Sequence, residues 1–98
     1  MFLTQLDACY RQSPSVVSRE IAGETILVPI RQNVGDLESI YTLNETAAYA
    51  WALIDGQRPV QAIRDQIVAE FEVGAEEAER DLLELLAQLE SFGAVERV

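Results

Sequence analysis

The rhythm of apolar and polar residues changes near Leu43. Before it, Val, Ile, Thr and Tyr gather in short clusters broken by turn residues; beyond it, apolar residues return every three or four positions. Side chains alternate across a strand and recur about every 3.6 residues along a helix, so the first stretch reads as strands and the second as helices. Val16 and Val17, followed by Arg19 alternating with Ile21, predict a strand over 16–21. Ala22-Gly23-Glu24 is the turn after it, since Gly23 can take positive φ without a Cβ clash. A second strand is expected over 25–30. Pro29 lacks an amide hydrogen, which places it at an edge, at a bulge or on an outward-facing bond. Gln32–Glu38 reads as a polar loop turning at Gly35-Asp36. Ser39–Leu43 is the third strand, with Ile40 and Thr42 on one face and Tyr41 and Leu43 on the other.

Three helices are expected, over 44–54, 59–72 and 75–92. Asn44 can accept hydrogen bonds from the free amides of the first, and Glu45 sits where the helix dipole favours a negative charge. Its predicted buried face is Ala47, Ala48, Trp51, Ala52 and Leu53, with Gly56 at the left-handed position that ends it. Pro59 is tolerated in the first turn of the second helix. There Val60, Ile63, Ile67, Val68 and Phe71 form an amphipathic series. The third helix turns Ala78, Leu82, Leu85, Leu86, Leu89 and Phe92 inward and stops at Gly93. Leu83 widens that stripe, which is either plain core or one wall of a partner groove. Ala94–Val98 reads as an extended tail.

The order of elements gives an α+β fold, a three-stranded antiparallel sheet followed by three helices. The helix pair joined through Gly56–Pro59 has a winged helix-turn-helix-like character. Ninety-eight residues suit a single domain over 16–98 with an N-terminal extension over 1–15. No apolar run reaches the roughly 18 residues of a membrane span, and the N-terminus does not resemble a signal peptide. A cytoplasmic protein with no membrane contact is the expectation.

Charge narrows the classes of function. The chain has 17 acidic residues against 7 arginines, no lysine and no histidine, for a net charge of -10. Between Glu70 and Glu96 there are nine carboxylates and one base, Arg80. Such a surface repels a phosphate backbone and attracts a basic or amphipathic partner. Without histidine there is no imidazole for a general base, a triad or a metal site. Cys9 alone cannot build a thiolate site and is expected to be a small, semi-buried hydrophobe. The glycines are too far apart for a phosphate-cradling loop. Glu76/Glu77 and Asp81/Glu84 read as a solvated helix face rather than acid–base pairs. No enzyme activity, cofactor or metal is expected. Arg58 and Arg64 keep a second reading open, a winged-helix DNA-binding or regulatory domain, against which the surrounding acids weigh.

A family resemblance sharpens this picture. Tyr41-Thr42-Leu43-Asn44-Glu45-Thr46, followed by Trp51-Ala52-Leu53-Ile54-Asp55-Gly56, resembles the "LNET…W.LLDG" signature of the pyrroloquinoline quinone (PQQ) synthesis protein D (PqqD) family. Pro59-Val60 with Ile63 resembles that family's "TV.EI", Phe71-Glu72-Val73 its "Y.V", and Asp81-Leu82 through Gly93-Ala94-Val95-Glu96 its "D…FL..L…GLVE" ending. Val17-Ser18-Arg19-Glu20 and Gly23-Glu24 resemble its hairpin. The likeness runs from about Val16 to Val98. Ala47 departs from the glycine frequent after "NET", and the third helix is unusually acidic.

The resemblance implies a noncatalytic peptide recognition element of the pathways that make ribosomally synthesised, post-translationally modified peptides. Its partners would be a leader or precursor peptide and a separate modifying enzyme. In the namesake pathway, PQQ biosynthesis, that enzyme is a radical S-adenosylmethionine (SAM) enzyme. The peptide would add as a strand along Ser39, Ile40, Tyr41, Thr42 and Leu43 and lie against Asp81, Leu82, Leu85 and Gln88 of the third helix. The same open strand edge leaves a homodimer as an option.

Overall fold

The computed structural model describes residues 5–30 and 40–98. After a 3-10 turn at Gln5–Asp7 come β1 (Cys9–Gln12), β2 (Val16–Ile21), β3 (Glu24–Pro29), β4 (Tyr41–Leu43), α1 (Glu45–Leu53), β5 (Asp55–Pro59), α2 (Val60–Phe71), α3 (Ala75–Phe92) and β6 (Val95–Arg97). The strands make two antiparallel sheets, ordered β2-β3-β4 and β5-β1-β6. The first sheet and the three helices agree with the expected α+β, winged helix-like order. The second sheet is an addition to it.

Local chemistry explains the first sheet. β2 and β3 pair in register from Val16↔Pro29 to Ile21↔Glu24, leaving Ala22 and Gly23 as a two-residue loop. Both loop residues have positive φ, 55° and 84°, as a type I′ turn demands because its twist matches that of the strands. Pro29 ends β3 beyond the three residues that β4 pairs, Thr25↔Leu43, Ile26↔Thr42 and Leu27↔Tyr41. No ladder bond to β4 is therefore lost to its missing amide hydrogen. Along β4, Leu43 is buried and Thr42 exposed, the predicted alternation. Leu27 and Leu43 root this wing in the common core.

The helices follow their caps. The Asn44 side chain accepts from the Ala47 amide at 2.8 Å. α1 stops at Ile54, whose amide bonds the Trp51 carbonyl, rather than at Gly56. Gly56 does have positive φ, +81°, but within β5, where a Cβ would come 3.4 Å from the Arg11 Cβ. α2 ends on Glu72 in the left-handed region, φ 55°. α3 ends in a Schellman motif: Gly93 N–H bonds Glu90 O and Ala94 N–H bonds Leu89 O. Ala78, Leu82, Leu86 and Leu89 form its buried row, facing Val60, Ile63 and Ile67 of α2 and Trp51 of α1.

One expectation about the core is corrected, the buried face of α1. On α1 the buried residues are Ala50 and Trp51; Ala47 and Ala48 are partly buried and Ala52 is exposed. Phe71 is half-buried, and Tyr49 meets its ring edge-on with centroids 5.3 Å apart. Leu85 and Phe92 are likewise half-buried, because they flank the row that faces α2.

The segment before Val16, set apart by its sequence as an extension, supplies the central strand of the second sheet. β1 pairs with β5 at Cys9↔Pro59 and Arg11↔Asp55, with a bulge between. On its other side it pairs with β6 at Tyr10↔Arg97, Arg11↔Glu96 and Gln12↔Val95. Gln12 also donates to the Trp51 carbonyl at 2.9 Å, and Tyr10 enters the core. The expected C-terminal tail is thus strand β6, and the link between α1 and α2 is strand β5. Cys9 is partly buried, with its thiol 3.6 Å from the Gln57 carbonyl.

Candidate functional site

A groove of about 370 Å³ lies where β4, the start of α1 and the exposed side of α3 meet. β4 contributes Tyr41 and Thr42. Asn44, Thr46, Ala47 and Ala50 continue this side, and Ile67 and Val73 come from α2 and the residues after it. α3 supplies the opposite wall, Glu77, Ala78, Asp81, Leu82, Glu84, Leu85 and Gln88. Tyr41 joins the two sides: its hydroxyl donates to Gln88 Oε1, and its ring leans on Phe92 with centroids 5.7 Å apart.

The backbone of β4 is the second component. It pairs with β3 on one side only, and no strand covers its other edge among the described residues. Such an edge presents unpaired amides and carbonyls to any extended chain that can reach it. Ile40, just before it, is half exposed.

Of the residues singled out in the sequence, Tyr41, Thr42, Asp81, Leu82, Leu85 and Gln88 meet in this groove. Leu43 belongs to β4, but its side chain is buried in the core, so it can contribute only backbone. Ile40 does not line the groove, and Ser39 lies outside the described residues. Sequence reading took Glu77 and Glu84 only for part of a solvated helix face; they stand four residues before and three after Asp81 and so share its side of the helix. It also missed the groove floor from Asn44 to Ala50, whose exposure depends on how α1 docks.

Charge is unevenly compensated. Arg11 bonds Glu96 at 2.8 Å and Arg58 bonds Asp55 at 3.2 Å. Arg64 is clamped by Glu79 at 2.9 Å and Asp65 at 3.0 Å. Those bonds, Glu79 first, raise the Arg64 guanidinium above its ordinary pKa. Asp55 is held below its own by the amides of Gln57 and Arg58. The two arginines on which a DNA-reading helix pair would depend are thus already engaged with carboxylates. Among the described residues, no group of three or more His, Cys, Asp or Glu could hold a metal ion. Among these same residues no helix is long and apolar enough to cross a membrane.

The sequence profile of the family described as coenzyme PQQ synthesis protein D (PqqD) matches residues 24–95, from β3 to β6. The chain belongs to this family. Within the PqqD fold, the matched region contains both walls of the groove but not β1 or β2. Two solved structures are similar to it. One, TbiB1 in complex with the TbiA(beta) leader peptide, has a TM-score of 0.72 and 27% identity, covering 88% of this chain and 94% of that one. The other, a lasso peptide synthetase B1 complexed with the leader peptide, has a TM-score of 0.73 over 89% of this chain and 96% of that one. Its 22% identity makes it a likeness of fold. No curated protein matches the chain.

Proposed function

We propose that this PqqD-family chain is a noncatalytic recognition domain that binds the leader segment of a ribosomally made precursor peptide and presents it to a separate modifying enzyme. The observation that carries the reading is the meeting of an open strand edge, β4, with a groove walled by α3. A peptide laid along β4 gains backbone hydrogen bonds that are largely independent of its sequence, while the groove selects side chains. The leader-peptide complexes of the two similar structures support this use. A radical SAM enzyme making PQQ is the partner if the chain serves the family's namesake pathway, and we place the encounter in the cytoplasm. A second copy pairing along β4 would compete with the peptide, so free protein is the place to look for a homodimer.

The test is titration of candidate leader peptides, taken from short reading frames beside the gene, into isotope-labelled protein. Amide shifts should concentrate on residues 41–43 and 77–88. Tyr41→Pro, which alters the β4 backbone, should weaken binding far more than alanine at exposed Gln66 of α2, provided the variant keeps its helical circular dichroism. Shifts confined to α2 or the β2–β3 hairpin would contradict the groove.

A further inference from the structure

The α3 wall carries two parallel rows. With about 100° of rotation per residue, Glu77, Asp81, Glu84 and Gln88 fall within an arc of about 60°, while Ala78, Leu82, Leu85 and Leu89 fall in the adjacent arc. The first row is the polar wall of the groove and the second is its apolar base or the core beneath. Three consecutive members of the polar row are therefore carboxylates.

Among the described residues these acids have little internal counter-charge. The arginines in tight ion pairs, Arg11, Arg58 and Arg64, hold Glu96, Asp55, Asp65 and Glu79, none of which lines the groove. Among the described residues Glu77 and Glu84 pair with no arginine, and Asp81 has only Arg80 at 3.8 Å, with both side chains largely exposed. Glu77 has a structural reason to be acidic, since it lies in the first turn of α3, where the helix dipole favours a negative charge. Asp81 and Glu84 lie in the middle of the helix and lack that reason.

Resting on the function proposed above, we infer that the groove selects a basic peptide, one with lysine or arginine at alternate positions facing Glu77, Asp81 and Glu84. The geometry suits an extended chain. Glu77 and Asp81 are about 6 Å apart along the helix axis and Asp81 and Glu84 about 4.5 Å. Same-face residues of a strand recur about every 6.6–6.8 Å. The long stems of lysine and arginine absorb that difference. The selection is directional, because the acids lie toward the N-terminal end of α3 and Tyr41, with Gln88 and Phe92, toward its C-terminal end. Basic residues belong at the first end of the bound segment and an apolar residue at the second.

The experiment selects a displayed library of random dodecapeptides against the full chain and against Glu77→Gln/Asp81→Asn/Glu84→Gln, with Asp81→Asn alone as a milder variant. Recovered peptides are mapped by amide shifts. The wild-type chain should enrich Lys or Arg at positions i and i+2, in peptides that shift residues 41–43 and 77–88. The triple variant should bind these peptides about tenfold or more weakly, at a few-fold for each exposed charge pair, and should not select the basic pattern. Raising salt should narrow the gap between the two proteins. Peptides that map to the groove without a basic pattern, or the same consensus from both proteins, would overturn this inference and leave the leader-binding function standing. Peptides that map elsewhere, or no enrichment at all, would overturn both.

Discussion

Tyr10 tests whether the N-terminal strand belongs to the cooperative fold. It lies within β1 at 2% exposure. Its hydroxyl accepts from Gln5 Nε2 at 3.3 Å, and the Arg97 guanidinium lies 5.9 Å from its ring centroid. Removing a buried aromatic ring to alanine costs about 3–5 kcal/mol, as lost burial plus a cavity. The hydroxyl bond accounts for at most about 0.5–1.5 kcal/mol and the cation–π contact for about 0.5–1 kcal/mol. The ring therefore dominates, and Tyr10→Phe should lose no more than about 1.5 kcal/mol. For a domain of this size, whose whole stability is about 5–15 kcal/mol, the Tyr10→Ala loss corresponds to a fall in Tm of at least about 12 °C. Urea unfolding followed by the fluorescence of Trp51, the single tryptophan, measures it. The Trp51 carbonyl accepts from Gln12 at 2.9 Å, so the probe adjoins the strand under test. A loss below about 1 kcal/mol for Tyr10→Ala, with unchanged m, would refute the reasoning and make β1 an appendage.

Trp51→Ala should destabilise by about 3–5 kcal/mol because the indole fills the space between the alanines of α1 and the other helices; thermal melts followed by circular dichroism would show it. Ala22→Gly should stabilise by about 0.5–1 kcal/mol, since φ 55° is strained for alanine, and a lower urea midpoint would contradict the turn assignment. Asp55 has a folded pKa below its ordinary 3.8, so its contribution is complete above that value and is lost as pH falls through the folded pKa. Asp55→Asn should therefore flatten the decline in stability as pH falls below 3.8, read from urea midpoints at each pH.

What the sequence made legible was local. The β2–β3 hairpin has a loop glycine between β-branched runs, and α3 repeats Leu82, Leu85, Leu86 and Leu89 at helical spacing, so neither needs a distant partner to be recognised. β1, β5 and β6 are three to five residues long, and β5 is Asp-Gly-Gln-Arg-Pro, which reads as a turn. They become strands only because distant segments supply hydrogen bonds, such as Arg11 opposite Glu96. α1 misled for a different reason: alanine stands on nearly every side of it, so the period could not tell Ala50, which is buried, from Ala52, which is not. The groove was half legible. Asp81, Leu82, Leu85 and Gln88 came from the family likeness, whereas Glu77 and Glu84 needed only the spacing rule applied outward from Asp81.

The buried row and the polar row of α3 separate what the chain must keep from what it is free to change. Ala78, Leu82, Leu86 and Leu89 answer to the interior, and altering any of them disturbs the whole molecule. Glu77, Asp81, Glu84 and Gln88 are exposed, so they can be exchanged with little effect on folding. The β4 edge offers the same amides and carbonyls whatever those side chains are. On the proposed function, a lineage could therefore follow a drifting precursor gene by exchanging four surface codons on one helix, and an engineer could reassign the domain to another peptide in the same way.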